Sequence, residues 1–146
     1  MLVNAPFQGI WDLPGVYSYM GQLLSDAQVL PALVDTSKVR ISSDIEKVYN
    51  KGGQSEIWLN PGACRTYDCL LQLDKRLADF KAVKEKQVYN STKLQTADGG
   101  NAYWETGVID PALVLSDIIQ ICYPMRNGRF VPRPDPDSLY FFEPLK

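Results

Sequence analysis

With 146 residues, the chain is long enough for one domain and too short for two of ordinary size. Apolar residues at 45% and charged residues at 22% exclude a disordered chain, and a net charge of −2 excludes a strongly basic nucleic-acid binder on bulk electrostatics. Having no histidine, the chain also lacks His-based acid–base chemistry, Ser-His and Cys-His nucleophile pairs, and the commonest transition-metal ligand.

The first element expected is a short strand over residues 1–4. A loop punctuated by Gly and Pro follows over residues 6–15, and Val16, Met20, Leu23, Leu24 and Ala27 then recur at helical spacing, predicting a helix over residues 16–27. Pro31 argues against a long element over residues 29–41. Ser43-Asp44-Ile45-Glu46 has the form of a capping box, so a helix with Ile45, Val48 and Tyr49 inward starts there and stops at Gly52-Gly53. Residues 56–60 read as a buried strand ended by Pro61-Gly62.

A further helix is expected from Arg65 or Thr66, burying Tyr67, Leu70 and Leu71, and then one or two helical turns between Asp74 and Lys84 with Leu77 and Phe80 inward. Residues 87–89 form a short strand, and residues 91–101 a polar loop containing Gly99-Gly100. Asp110 and Pro111 open the clearest helix, with Leu115, Ile118, Ile119 and Cys122 on its core face and Pro124 as its stop. A proline-rich connector (Pro132, Pro134, Pro136) leads to residues 139–142, a final strand or an extended docking segment. This alternation is the grammar of an α/β protein, a three-layer sandwich around a mostly parallel sheet, and the whole chain reads as one such unit.

Chemistry-bearing motifs are sparse. Neither GxGxxG nor GxxxxGK[ST] occurs, and the two Gly-Gly pairs read as a helix stop and a turn. Cys64 and Cys69 can bridge if the turn between them allows it; otherwise they are, like Cys122, buried or free thiols, and no zinc-type spacing is present. No metal site and no catalytic residue is expected. Asn90-Ser91-Thr92 matches a glycosylation sequon, which means nothing without a secretory route. No run of about 20 apolar residues is available to cross a bilayer. The N-terminal residues also lack the charged and apolar regions of a secretory signal. What remains is aromatic: Trp11, Tyr17, Tyr103 and Trp104 all fall in or beside Gly-, Pro- or Asn-rich connections. Ligands of α/β sheets bind at such loops, and one ring could equally be a lid on the sheet edge; four together point to a crevice.

Three segments carry a family resemblance: Asn4-Ala5-Pro6-Phe7-Gln8-Gly9-Ile10-Trp11 running on through Pro14-Gly15-Val16-Tyr17-Ser18-Tyr19-Met20; Trp58-Leu59-Asn60-Pro61-Gly62; and Gly99-Gly100-Asn101-Ala102-Tyr103-Trp104-Glu105-Thr106-Gly107 followed by residues 110–119. In order and spacing the chain resembles the C-terminal lobe of the class III substrate-binding proteins of bacterial ABC importers. These are periplasmic or surface-anchored receptors for ferric siderophores, haem or cobalamin. The resemblance implies one Rossmann-like lobe of a two-lobe protein, the N-terminal lobe and linker helix being absent from this chain, so that it is a fragment or truncated product.

It further implies a non-catalytic transport role with no cofactor. The ligand would be faced by Trp11, Tyr17 and Ser18 before the first helix and by Tyr103 and Trp104. Lys38 or Arg40 would meet an anionic group. Glu46 falls where the family presents a glutamate to the permease of the importer, although it also fits as the capping-box partner of Ser43. The Val29–Arg40 stretch and the two cysteines Cys64 and Cys69 depart from the family pattern. Two other readings stay open: a small interaction domain that forms a homodimer through its exposed cleft face, and an enzyme using Cys64 at a helix start.

Overall fold

A computed structural model describes residues 1–35 and 39–146. Its central sheet grows from the short apolar runs of the sequence. Strands β1 (Leu2–Val3), β5 (Trp58–Leu59) and β6 (Val88–Asn90) lie parallel, and β9 (Glu143–Pro144) closes the edge antiparallel to β6, giving the order β1-β5-β6-β9. Between them in the chain come β2 (Pro6–Phe7), β3 (Ile10–Pro14), α1 (Tyr19–Asp26), β4 (Arg40–Asp44), α2 (Ile45–Gly52), α3 (Tyr67–Leu73) and α4 (Lys81–Lys84). After β6 come α5 (Ala102–Ile109), α6 (Pro111–Cys122), β7 (Met125–Arg126) and β8 (Arg129–Phe130).

Register explains why the strands are apolar throughout. Leu2 pairs with Trp58 and Trp58 with Val88, while Val3 pairs with Leu59 and Leu59 with Tyr89. Alternate residues point to opposite faces, so each strand feeds two cores. Leu2, Trp58 and Val88 join Trp11, Val48, Leu70, Leu77 and Phe80 on one face. Val3, Leu59 and Tyr89 join Leu24, Tyr103, Ile118, Phe141 and Phe142 on the other. Helices therefore cover both faces of a mostly parallel sheet, a mixed α/β fold compatible with a sandwich.

The expected loop over residues 6–15 is instead an antiparallel hairpin, β2 and β3, extended by β4 into a second sheet with Trp11 opposite Ser43 and Leu13 opposite Ile41. Gln8 and Gly9 at φ 50° and 80° make the tight turn that matches strand twist. The Gly and Pro residues mark the ends of a hairpin, and along β3 exposed Ile10 alternates with buried Trp11 and Leu13. The capping box is also corrected. Asp44, not Ser43, is the N-cap of α2: its Oδ1 accepts from the Lys47 N–H at 2.7 Å, while Ser43 sits buried in β4.

Tyr103 and Trp104 lie in the first turn of α5 and not in a loop, because Asn101 caps that helix, accepting from the Tyr103 N–H at 3.0 Å. Pro111 opens α6 as expected, although Asp110 makes no side-chain cap bond. Ahead of the proline-rich connector stands a second hairpin, β7–β8, turned at Asn127 and Gly128 with φ 52° and 75°.

Helix α1 starts later than its apolar spacing suggested, at Tyr19, where Gly21 lets the preceding loop close on the helix. A Cβ at Gly21 would stand 2.0 Å from the Gly15 carbonyl oxygen, which is backbone and cannot step aside. Gly21→Ala is accordingly expected to destabilise the chain by about 3 kcal/mol in urea unfolding, by overpacking against backbone.

Candidate functional site

Each parallel strand ends on an asparagine: Asn4 follows β1, Asn60 follows β5, and Asn90 is the last residue of β6. Asn4 and Asn60 adopt φ 64° and 54°, the left-handed conformation that asparagine tolerates, and so turn the chain off the sheet at its carboxyl edge. Their amides tie the edge loops together. Asn4 Nδ2 donates to the Asp12 carbonyl at 2.7 Å, and Asn60 Oδ1 accepts from the Ser91 N–H at 3.3 Å. Asn90 Nδ2 donates to the carbonyls of Gly62 and Cys64, both at 2.8 Å, and Asn101 Nδ2 to that of Ser91 at 2.8 Å. Asn90 is buried with its amide fully engaged, so the sequon at this position has no accessible acceptor nitrogen.

Two adjoining hollows open over this edge and share Asn4, Asn60 and Trp104 as walls. One, of about 350 Å³, is bounded by Tyr19, Met20, Val39, Arg40 and Tyr103. The other, of about 570 Å³, is bounded by Phe7, Leu73, Gln95 and Asn101. Both fall in the range of roughly 300–1,000 Å³ typical of small-molecule sites, and they lie at the strand ends where α/β sheets bind ligands.

The structure sorts the residues expected to face a ligand. Trp104 does so in position: its ring is 67% exposed and forms the wall common to both hollows. Trp11 does not. It is 0% exposed, donates its indole N–H to the Val3 carbonyl at 3.0 Å, and packs on Trp58 and Phe80 with ring centroids 5.4 and 6.3 Å away. Strand alternation on β3 turns it inward, so it is a core residue. Tyr103 is corrected only in part, since it still bounds the first hollow. At 4% exposure it lies edge-on to Trp104, Phe141 and Phe142 and forms floor rather than rim. Burial pushes its phenol up to about 12, against a lowering hydrogen bond with Asn60.

Ser18 borders the first hollow, but its hydroxyl is spent on capping, donating to the Gly15 carbonyl at 2.8 Å and accepting from the Gly21 N–H at 2.9 Å. Tyr17 is exposed and is not among the walls of either hollow. Arg40 lines the first hollow and faces Asp12 at 3.6 Å. Lys38 lies outside the described residues.

Glu46 stands on α2, outside both hollows, and pairs with Arg76 at 2.7 Å. The same guanidinium grips Asp74 at 2.8 Å and lies 4.6 Å over the Tyr49 ring; it holds the Asp74 carboxyl down to about 2. Arg76 engages only Oε1 of this exposed carboxylate, so a partner that takes Glu46 shares it with Arg76.

Sequence reasoning missed Asn4, Asn60, Asn90 and Asn101, together with Phe7 and Tyr19. The signal was present as an asparagine at the end of each apolar run, but it gains meaning only once those runs are known to lie side by side and parallel.

Cys64 and Cys69 form a disulfide with Cα atoms 5.4 Å apart, beside the Thr66 N-cap of α3. The free cysteine, Cys122, has its thiol pushed up to about 12 by burial. Iodoacetamide is therefore expected to modify the native chain about tenfold more slowly than the denatured one, because the thiolate is the nucleophile. Mass spectrometry should find one alkylated thiol after denaturation and all three only after reduction. Among the described residues, no group of three or more Cys, Asp or Glu side chains is placed to hold a metal ion, and no helix is long and apolar enough to cross a membrane. Comparison with known protein families, with curated proteins and with solved structures finds no match to this chain.

Proposed function

We propose that this chain is a non-catalytic ligand-binding lobe, of the kind that forms one wall of the cleft in class III substrate-binding proteins of bacterial ABC importers. Its ligand would be a ferric siderophore, haem or cobalamin, and it would act outside the cytoplasmic membrane beside its permease. The observation that carries this reading is the convergence of three parallel strand ends, two adjoining hollows and an exposed Trp104 on one edge of the sheet. An open, aromatic-walled surface is what one half of a two-sided clamp requires, since large rings give contact area at low entropic cost.

Trp104 reports on the site directly, because the other two tryptophans, Trp11 and Trp58, are fully buried. Titration of the chain with cyanocobalamin or a ferric siderophore is expected to quench Trp104 emission and to saturate in the high-micromolar range, one wall supplying only part of the contacts. Trp104→Ala should raise the ligand concentration at half-saturation at least about tenfold. Saturation at nanomolar ligand, or an unchanged midpoint in the variant, would contradict the reading.

One observation favours a second use of the same edge. The outer side of α5 carries Trp104, Val108 and Ile109 at 67%, 60% and 85% exposure, an apolar strip that could pair two copies of the chain. Light scattering with Ile109→Lys separates the two: self-association through α5 disappears in the variant, whereas ligand quenching at Trp104 does not.

A further inference from the structure

The larger hollow has a property that narrows the ligand, on the reading that this edge is the ligand site. None of the fourteen described residues that line it is charged, although 22% of the chain is. Charged side chains concentrate at surfaces, so an open surface hollow without one is a selective feature. Its polar groups are the amides of Asn4, Asn60, Asn90, Gln95 and Asn101 and the hydroxyls of Ser91 and Thr92. Its aromatic walls are Phe7 and Trp104, exposed at 75% and 67%.

Two described cations beside this edge already have partners. Arg65 donates to the Thr92 carbonyl at 2.8 Å, and Arg40, in the neighbouring hollow, faces Asp12 at 3.6 Å.

We infer that this hollow takes an uncharged ligand face bearing carboxamide or hydroxyl groups, and that the lobe discriminates against anionic chelates. Asn4 Nδ2, Asn60 Oδ1, both ends of the Asn101 amide and the Thr92 hydroxyl are bonded within the chain, which leaves the Gln95 amide, the Asn4 Oδ1 and the Ser91 hydroxyl to meet ligand groups that both give and take hydrogen bonds. A carboxylate or catecholate brought against the same wall loses its water and finds no cation, an uncompensated cost. The rings add stacking area that is indifferent to ligand charge. This differs from the expectation drawn from Lys38 and Arg40, in which a cation meets an anionic group.

The test uses four probes against the intact chain, read by amide chemical shifts so that weak binding is measurable: cyanocobalamin, a neutral ferric trihydroxamate with its gallium analogue, haemin, and a trianionic gallium tris-catecholate. The neutral probes are expected to bind at least about tenfold more tightly than the anionic ones, with affinities that change less than about twofold between low and physiological salt. The two neutral probes distinguish a carboxamide source of the contacts from a hydroxamate one. Gln95→Lys, which places a cation in the wall, should tighten the tris-catecholate at least about fivefold and narrow the gap between the neutral and the anionic probes. Tighter binding of haemin or the tris-catecholate to the unaltered chain, weakening with salt, overturns the inference and leaves the proposed function standing. So does an unchanged tris-catecholate affinity in Gln95→Lys. Failure of all four probes to bind overturns the proposed function, and this inference with it.

Discussion

Asp117→Ala is expected to cost about 4 kcal/mol of stability in urea unfolding, because hydrogen bonds to a charged group contribute about 1.5–3 kcal/mol each and do not sum fully. Asp117 is 1% exposed on α6, and its carboxylate accepts from three consecutive backbone N–H groups: Tyr140 at 2.7 Å, Phe141 at 2.7 Å and Phe142 at 3.2 Å. Removing it strands those donors without water. Asp117→Asn should recover little, about 1 kcal/mol, because the amide keeps one acceptor oxygen and turns an NH2 toward donors. The clamp also matters to the site. Phe141 and Phe142 support Tyr103, which in turn carries Trp104, so loosening residues 140–142 should lower ligand affinity as well as stability. A loss under about 1 kcal/mol would mean that apolar burial alone holds the segment.

Trp11→Ala should be of similar size, about 4 kcal/mol, the cost of emptying an aromatic side chain from a packed core. The cavity would open between Trp58 and Phe80 and leave the Val3 carbonyl without its indole donor. Trp11→Phe should cost about 2 kcal/mol, smaller because most of the ring volume stays. Ligand affinity in Trp11→Phe is expected to stay within about twofold of the parent, since no face of this ring reaches the hollows. Trp104→Ala inverts the pattern, with stability changed by less than about 0.5 kcal/mol and binding lost. A Trp11→Phe chain that folds normally but binds tenfold worse would return Trp11 to the site.

The elements legible in the sequence are those whose signals are local. The apolar runs of β1, β5 and β6, the Thr66 start of α3 and the Pro111 start of α6 all stand where periodicity and capping chemistry put them. The elements missed are those in which a turn residue sits inside an element or just outside it. Gly9 marks a hairpin tip, Asn127-Gly128 another, and Asn101 after two glycines is a helix cap rather than more loop.

The candidate site was legible only in part, for a physical reason. Exposure of a ring depends on which face of its strand or helix it occupies, and a one-residue shift on β3 would have exchanged Trp11 for Ile10. Trp104 beside Tyr103 shows the same dependence, since adjacent helical positions point about 100° apart and only one can face solvent here. The Asp117 clamp reaches residues 23 to 25 positions further along the chain, a separation no local pattern encodes.

Paramagnetic broadening tests most directly the claim that ligand sits at the carboxyl ends of the parallel strands. With a neutral ferric trihydroxamate, the amides of Asn4, Asn60, Ser91 and Asn101 and the Trp104 indole should broaden first, while the gallium analogue shifts the same signals without broadening them. Broadening centred instead on a separate hollow, lined by Leu24, Val29 and Pro31 among others, or spread evenly over the surface, would contradict the account.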